Sequence, residues 1–309
     1  MMDFKKNIVG CQYEQGILHK LIFRQFQNLH KSLVFKNSNY YLKPNDIISY
    51  RPTLFGYHEP HLEKLFGQLA KTHSDFLLDV GANIGLTSIF VGADFREIHC
   101  VEPNKTLVKI LDVNLELAKI SEKTTIYPIG LGPKDGIETL LIPDDNFGAG
   151  FVAKGNAYNG QNDSMQRQEK KHTEKEIQIK DAKKWFSSLF SKNSSWSKGA
   201  VKIDVEGLEL PIFQALLEAL PSDMSIIVVM ENFLDQVNFE EFNTKFHNLS
   251  WFGFYKEKSF LKSIPFKLIG MSSYYKQTVR KIRNGDKAPH DLIICIEPKN
   301  KLSNNKPTL

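Results

Sequence analysis

Cysteine is scarce in this chain, with Cys11, Cys100 and Cys295 the only three. The number is odd and no two lie close in sequence, so neither a disulfide framework nor a zinc-binding spacing can be drawn. Cys100 and Cys295 sit in apolar runs and read as small core residues rather than reactive thiols. Long hydrophobic runs are missing as well. The most apolar stretch, residues 76–90, is interrupted by Asp79 and Asn83 and is too short and too polar to span a bilayer. Residues 1–10 are polar and basic and lack the apolar stretch of a signal peptide. The expectation is a soluble, cytoplasmic protein with no transmembrane segment. Neither sign of charge dominates: 40 Lys and Arg stand against 35 Asp and Glu, a net +5 over 309 residues. That balance gives no reason to expect DNA as a partner. Composition and motifs set no oligomeric state.

What is present is enough apolar residue, 41%, to bury one large domain. Residues 14–34 have helical spacing, with Leu18, Leu21, Ile22, Phe26, Leu29 and Leu33 at steps of three or four. A short strand, Tyr40–Leu42, is expected among turn residues, and a second helix over about 60–71. From Phe76 short apolar runs alternate with helical patterns. Strands are expected at 76–80, 97–102, 124–129, 201–205 and 225–230. Helices are expected from Ile84 and over about 105–119, 208–219 and 237–247. Such alternation predicts an α/β fold with a parallel sheet covered on both faces. Ile137–Ile142 and Glu176–Lys180 alternate in strand fashion around a polar stretch, which reads as an inserted hairpin (about 137–180) with a long mobile loop. Trp251–Tyr255 and Leu292–Ile296 read as a closing antiparallel pair. The domain reading is an extension over 1–56, a core over 57–298 and a disordered polar tail over 299–309.

The chemistry begins at Asp79-Val80-Gly81-Ala82-Asn83-Ile84-Gly85. A strand ends in an acid and turns through two glycines into a helix. Glycine there lets the chain turn tightly and a ligand approach the backbone. Glu102 ends the next strand, 23 residues after Asp79. In a doubly wound sheet that position grips a ribose diol. A dinucleotide loop needs glycine where Asn83 and Leu86 stand, and Asp79 would repel a diphosphate. A nucleoside without phosphate fits better, and S-adenosylmethionine carries a sulfonium and an ammonium that suit an acidic strand end. The bland reading is an ordinary strand–helix turn.

These residues carry a resemblance. Leu77–Gly85 resembles the first motif of FkbM-type S-adenosylmethionine-dependent methyltransferases, and Val101-Glu102-Pro103-Asn104 resembles their second. Lys202-Ile203-Asp204-Val205-Glu206-Gly207-Leu208-Glu209 is similar to their most distinctive motif. Tyr57-His58-Glu59-Pro60 is similar to a signature ahead of the first core strand, and Asn146-Phe147-Gly148 sits where the family often has Asn-x-Gly. The resemblance implies a Rossmann-like class I methyltransferase fold with a seven-stranded, mainly parallel sheet and an antiparallel closing strand. It implies O-methylation of a hydroxyl, typically on a sugar, a polysaccharide precursor or a secondary metabolite. The expected cofactor-binding residues are Asp79, Gly81, Ala82, Asn83, Gly85, Glu102, Pro103, Gly130 and Leu131.

A sugar hydroxyl is a poor nucleophile at neutral pH, so a base or a metal should assist it. Ligands in this fold meet at the carboxyl ends of the strands. Asp204 or Glu231 is placed there to act as general base. Asp204, Glu231 and Asn232 also offer hard oxygen ligands for a divalent cation such as magnesium. Glu206 reads more simply as a cap for the helix beginning near Leu208. His58 and His61 line the site only if their segment folds over the cofactor, and ordinary surface or core histidines are the plainer reading. Between Lys256 and Lys287 there are nine Lys or Arg and two acids. That excess reads as a solvated face, as a grip on an anionic small-molecule or glycan acceptor, or as an RNA-binding surface. The last makes an RNA methyltransferase the alternative function, although no RNA-binding module is recognisable.

Overall fold

The computed structural model describes residues 10–14, 40–42, 48–49, 52, 59–143, 146, 148–153, 172–232, 237–246, 248–259, 273–283, 286 and 289–298. Five parallel strands form the centre of the main sheet. They are β2 (Phe76–Val80), β3 (Glu97–Val101), β4 (Thr124–Tyr127), β9 (Lys198–Ile203) and β10 (Ser225–Glu231). Their order is β10-β9-β2-β3-β4. Burial of β2 on both faces explains why its sequence, Phe-Leu-Leu-Asp-Val, does not alternate.

Helices cover both faces. On one side lie α1 (Pro60–Leu69), α2 (Leu86–Val91) and α3 (Lys105–Leu117), with Leu65, Phe66 and Leu111 packed against Leu77, Ile98 and Ala200. On the other lie α4 (Ala182–Lys192) and α5 (Glu209–Ala219), whose Phe186, Phe190 and Phe213 meet Phe76, Leu78 and Val201. A sixth helix, α6 (Phe239–Lys245), places Phe242 in that second core. The start of α1 is set by Pro60, which needs no N–H partner in the first turn. Asn104 begins α3 by accepting the Thr106 N–H at 3.0 Å.

Beyond β10 the sheet reverses. β13 (Asp291–Ile296) runs antiparallel to β10, and β11 (Leu249–Ser259) pairs antiparallel with β13. The sheet does not stop at the expected seven strands. β11 continues to Ser259 and pairs with β12 (Ser273–Lys281), which pairs with β1 (Gly10–Glu14), giving nine. The order from β4 to β11 contains the seven, and the outer two extend the edge. Tyr40–Leu42 is not a strand. The helix expected over 14–34 and the tail after 298 lie outside the described residues.

A second sheet, in the order β5-β8-β6-β7, follows the third core strand. It contains β5 (Gly130–Gly132), β6 (Gly136–Pro143), β7 (Phe151–Val152) and β8 (His172–Asp181). β6 and β8 are the two arms of an antiparallel pair, and β5 runs parallel to β8. Residues 154–171 between them lie outside the described set. Among the described residues no helix is long and apolar enough to cross a membrane. Burial pushes the Cys295 thiol up to about 12 and raises Cys100 further, which makes both inert as nucleophiles.

Candidate active site

The carboxyl end of β2 sets the geometry. Gly81 turns the chain at φ +85°, and a Cβ there would fall 1.7 Å from the Asp204 carbonyl oxygen. The loop is therefore pressed against the end of β9, with the Asp204 N–H donating to Val80 O at 3.0 Å. Asn83 stands at φ +54° and donates its N–H to Glu102 Oε2 at 2.9 Å. Glu102 Oε1 accepts the Asn104 N–H at 2.8 Å. Burial raises the Glu102 carboxyl to about 7 against these two hydrogen bonds, with Asp79 and Asp204 adding to the rise.

Gly81, Asn83, Glu102, Pro103, Gly130 and Leu131 all face one cleft, roofed by Leu140, Val152 and Ile177 of the second sheet. Gly148 joins them, so close to the Asn83 amide that a Cβ would lie 2.3 Å from its nitrogen. Asn104 also lines the cleft, and its buried Nδ2 has no hydrogen-bond partner. An apolar slot with a carboxylate and an unused amide donor fits a nucleoside, with Glu102 toward a diol. Asp79, Ala82 and Gly85 sit behind the wall. Asp79 is fully buried and accepts from Ser88 Oγ at 2.8 Å. Burial raises its carboxyl, and the Lys202 ammonium and Ser88 pull the other way. A Cβ on Gly85 would lie 2.4 Å from Leu111 Cδ1, so this glycine serves helix packing.

Asp204 belongs to the nucleoside cleft and also to a neighbouring cavity of about 670 Å³. That cavity is bounded by α1 through Glu59 and His61, by β10 through Glu231, and by the closing strands through Phe254, Gln277 and His290. Lys202 lies at its base, 7% exposed, with Nζ 2.7 Å from Asp204 Oδ2. Burial alone would lower this ammonium. The carboxylates of Asp204, Asp79 and Glu59 outweigh burial and raise it, so the lysine stays charged. His290 Nε2 is 3.1 Å from Glu231 Oε1, and its Nδ1 is 3.1 Å from Asp291 Oδ1. Asp291 Oδ2 lies 3.5 Å from His61 Nε2. Burial works against ionisation of Asp291, yet hydrogen bonds and charge from both histidines hold its carboxyl well below the usual range. Glu231 is lifted to about 8 by burial and by Asp204 and Glu206, with His290 opposing.

Sequence reasoning placed Asp204 and Glu231 here and missed Lys202, His290 and Asp291. The plainer reading of His61 fails in part: it is buried, but it lines the cavity and faces Asp291. His58 lies outside the described residues. The cap expected of Glu206 is not made: the helix starts after Leu208 with no side-chain cap, and Glu209 instead ties down the loop before it. Its carboxylate accepts the N–H groups of Gly207 (2.9 Å) and Val205 (3.1 Å). Glu206 instead stands at φ +56°, rare for a residue with a side chain, and lines the nucleoside cleft. A clue was available, because Gly207-Leu208-Glu209 leaves Glu209 able to reach back over its own turn.

The expected metal set is not supported. Among the described residues Asp204, Glu209 and Glu231 bring carboxylate oxygens within 4.8 Å of one another, without Asn232. Asn232 is buried with Nδ2 toward Pro289 O at 3.5 Å. Glu209 is committed to loop amides, and an ammonium already neutralises Asp204. These residues do not fit a magnesium centre.

The chain is similar to several solved structures. The O-methyltransferase TomG from Streptomyces achromogenes, in complex with S-adenosylmethionine, matches at 10% identity and a TM-score of 0.42 over 90% of this chain and 99% of that one. The O-methyltransferase from Bacillus cereus, in complex with S-adenosylhomocysteine, matches at 9% and 0.38 over 84% and 90%. An rRNA methylase from Streptococcus thermophilus matches at 8% and 0.36 over 71% and 95%. No curated protein matches in sequence. Residues 79–250, more than half of the chain, match the methyltransferase FkbM domain, and the chain belongs to that family.

Proposed function

We propose that this protein is an S-adenosylmethionine-dependent O-methyltransferase acting on a hydroxyl of a sugar, a polysaccharide precursor or a secondary metabolite. The observation that supports it is the position of Asp204, shared between a nucleoside cleft and a second cavity large enough for an acceptor. Transfer between two ligands needs such a junction, because the attacking oxygen must stand in line with the leaving sulfur.

When bound, S-adenosylmethionine supplies an electrophilic methyl group. That methyl group would pass to the acceptor oxygen, and a protein carboxylate would take up the hydroxyl proton. Glu102 orients the ribose, and the Gly81–Asn83 backbone faces the methionine part. Asp204, held by Lys202, positions the acceptor hydroxyl. Glu231, joined to His290 at 3.1 Å, is placed to receive the proton.

Calorimetry with S-adenosylmethionine tests the donor half, with binding expected at micromolar to submillimolar cofactor. No heat at millimolar cofactor would remove the proposal. The RNA alternative gains no support from the cavity, whose Lys202 is paired with Asp204 at 2.7 Å and whose Arg280 lies over the Tyr255 ring at 3.7 Å.

A further inference from the structure

We infer that Asp291, His290 and Glu231 form a proton-receiving triad: Glu231 meets the acceptor hydroxyl, His290 takes up the charge, and Asp291, backed by His61, holds the imidazole in place. This rests on the methyltransferase reading and assigns His290, Asp291 and His61 as positioning residues for its reaction.

Geometry carries it. Glu231 and Asp291 are direct partners across the antiparallel pair of β10 and β13. Two carboxylates opposite one another on a sheet repel, yet here an imidazole stands between them. His290 Nε2 is 3.1 Å from Glu231 Oε1, and Nδ1 is 3.1 Å from Asp291 Oδ1. The backbone that carries the ring is fixed, because the Asn232 N–H donates to the His290 carbonyl at 2.6 Å. The other Asp291 oxygen lies 3.5 Å from His61 Nε2. His61 is itself 3% exposed and set edge-on against Phe254, with ring centroids 4.8 Å apart. All four side chains line the cavity that Asp204 borders.

The protons follow from these contacts. Asp291 stays ionised, so His290 Nδ1 carries a proton toward it. A second proton is shared between Nε2 and Glu231. Asp204, Glu206 and Glu209 face Glu231 and favour its protonated form, while His290 opposes them. Lys202 is paired with Asp204 at 2.7 Å. When the acceptor O–H bond breaks, its electron pair stays on the oxygen that receives the methyl group. The proton lands on the Glu231 carboxylate, and the shared proton passes wholly to Nε2. The pair then holds a neutral carboxyl and an imidazolium, and Asp291 stabilises that cation as it forms. The His290 side chain is 56% exposed, so the extra proton leaves to water at the rim.

The test is NMR titration of the full chain saturated with S-adenosylhomocysteine, with nitrogen-labelled imidazoles and carbon-labelled Glu carboxyls. His290 and Glu231 should titrate together, with a step near pH 8 visible at both. His290 Nδ1 should stay protonated throughout. Asp291→Asn should abolish that fixed tautomer and lower the His290 midpoint by about one pH unit or more, and Asp291→Glu should restore part of both. His290→Gln should raise the Glu231 midpoint by about one pH unit. S-adenosylhomocysteine affinity should be unchanged in all three variants, which separates these effects from misfolding. Independent titration of His290 and Glu231 in the wild-type chain would overturn the inference. So would an Asp291→Asn chain in which His290 keeps its wild-type tautomer and midpoint. Failure of S-adenosylhomocysteine itself to bind would instead bring down the methyltransferase reading.

Discussion

At the scale of single residues, the site is a set of carboxylates kept in different states by their surroundings. Glu102 is lifted from 4.5 to about 7 and Glu231 to about 8, in both cases chiefly by burial. A carboxyl raised in the folded state favours folding below its ordinary value, and that contribution is lost as pH rises through the folded value. The ligand-free protein should therefore melt at progressively lower temperature between about pH 5 and pH 8. Glu231→Gln should flatten the upper part of that decline in a pH series of calorimetric scans. An unchanged slope would show that Glu231 ionises normally. Asp204 borders both the cleft at the strand ends and the neighbouring cavity, so Asp204→Asn should lower kcat by roughly 100-fold or more while donor Kd moves less than about threefold. Parallel loss of both would assign Asp204 to the donor.

At the scale of elements, what was legible followed from local pattern. The five parallel strands and the helices between them are each encoded by their own apolar spacing, and the nucleoside cleft lies where those strands end. Helix α4 was missed although Asp181 caps it by accepting the Lys184 N–H at 3.0 Å and Phe186, Leu189 and Phe190 share one face. Its strand neighbour, rich in charge, hid the boundary. β12, Ser-Tyr-Tyr-Lys-Gln-Thr-Val-Arg-Lys, has no clean alternation, and its partner β1 is more than 250 residues distant. Nothing local reports such pairing. The turn after β2 is the element most exposed to test. Gly81→Ala places a methyl 1.7 Å from the Asp204 carbonyl at a φ of +85° that L-residues avoid. Neither strand can yield without breaking the Val80–Asp204 backbone bond. Donor affinity should fall at least about tenfold and stability by several kcal/mol, read by calorimetry and by denaturant midpoint. Wild-type donor binding in this variant would mean the loop moves freely.

At the scale of the whole molecule, the donor and acceptor halves differ in how the sequence writes them. The donor cleft is assembled from consecutive strand ends, so motif spacing announced Gly81, Asn83 and Glu102. The cavity proposed for the acceptor is closed by Glu59 ahead of α1 and by His290 more than 200 residues later, and only the reversal at β13 brings them together. Lys202 was visible as a residue but not as a hub, because its acids come from β2, the end of β9 and the approach to α1. This arrangement bears on the metal question. A buried ammonium 2.7 Å from Asp204 does the neutralising that a divalent cation would do, without demanding six oxygens. Turnover should therefore stay within about twofold when a chelator is added, and added magnesium should not raise it. Lys202→Met should behave differently, because removing one partner leaves buried carboxylates uncompensated. That variant should lose stability and activity together. An activity that collapses on chelation in the wild-type chain, and returns with magnesium, would show that Asp204 and Glu231 leave their present partners to bind metal.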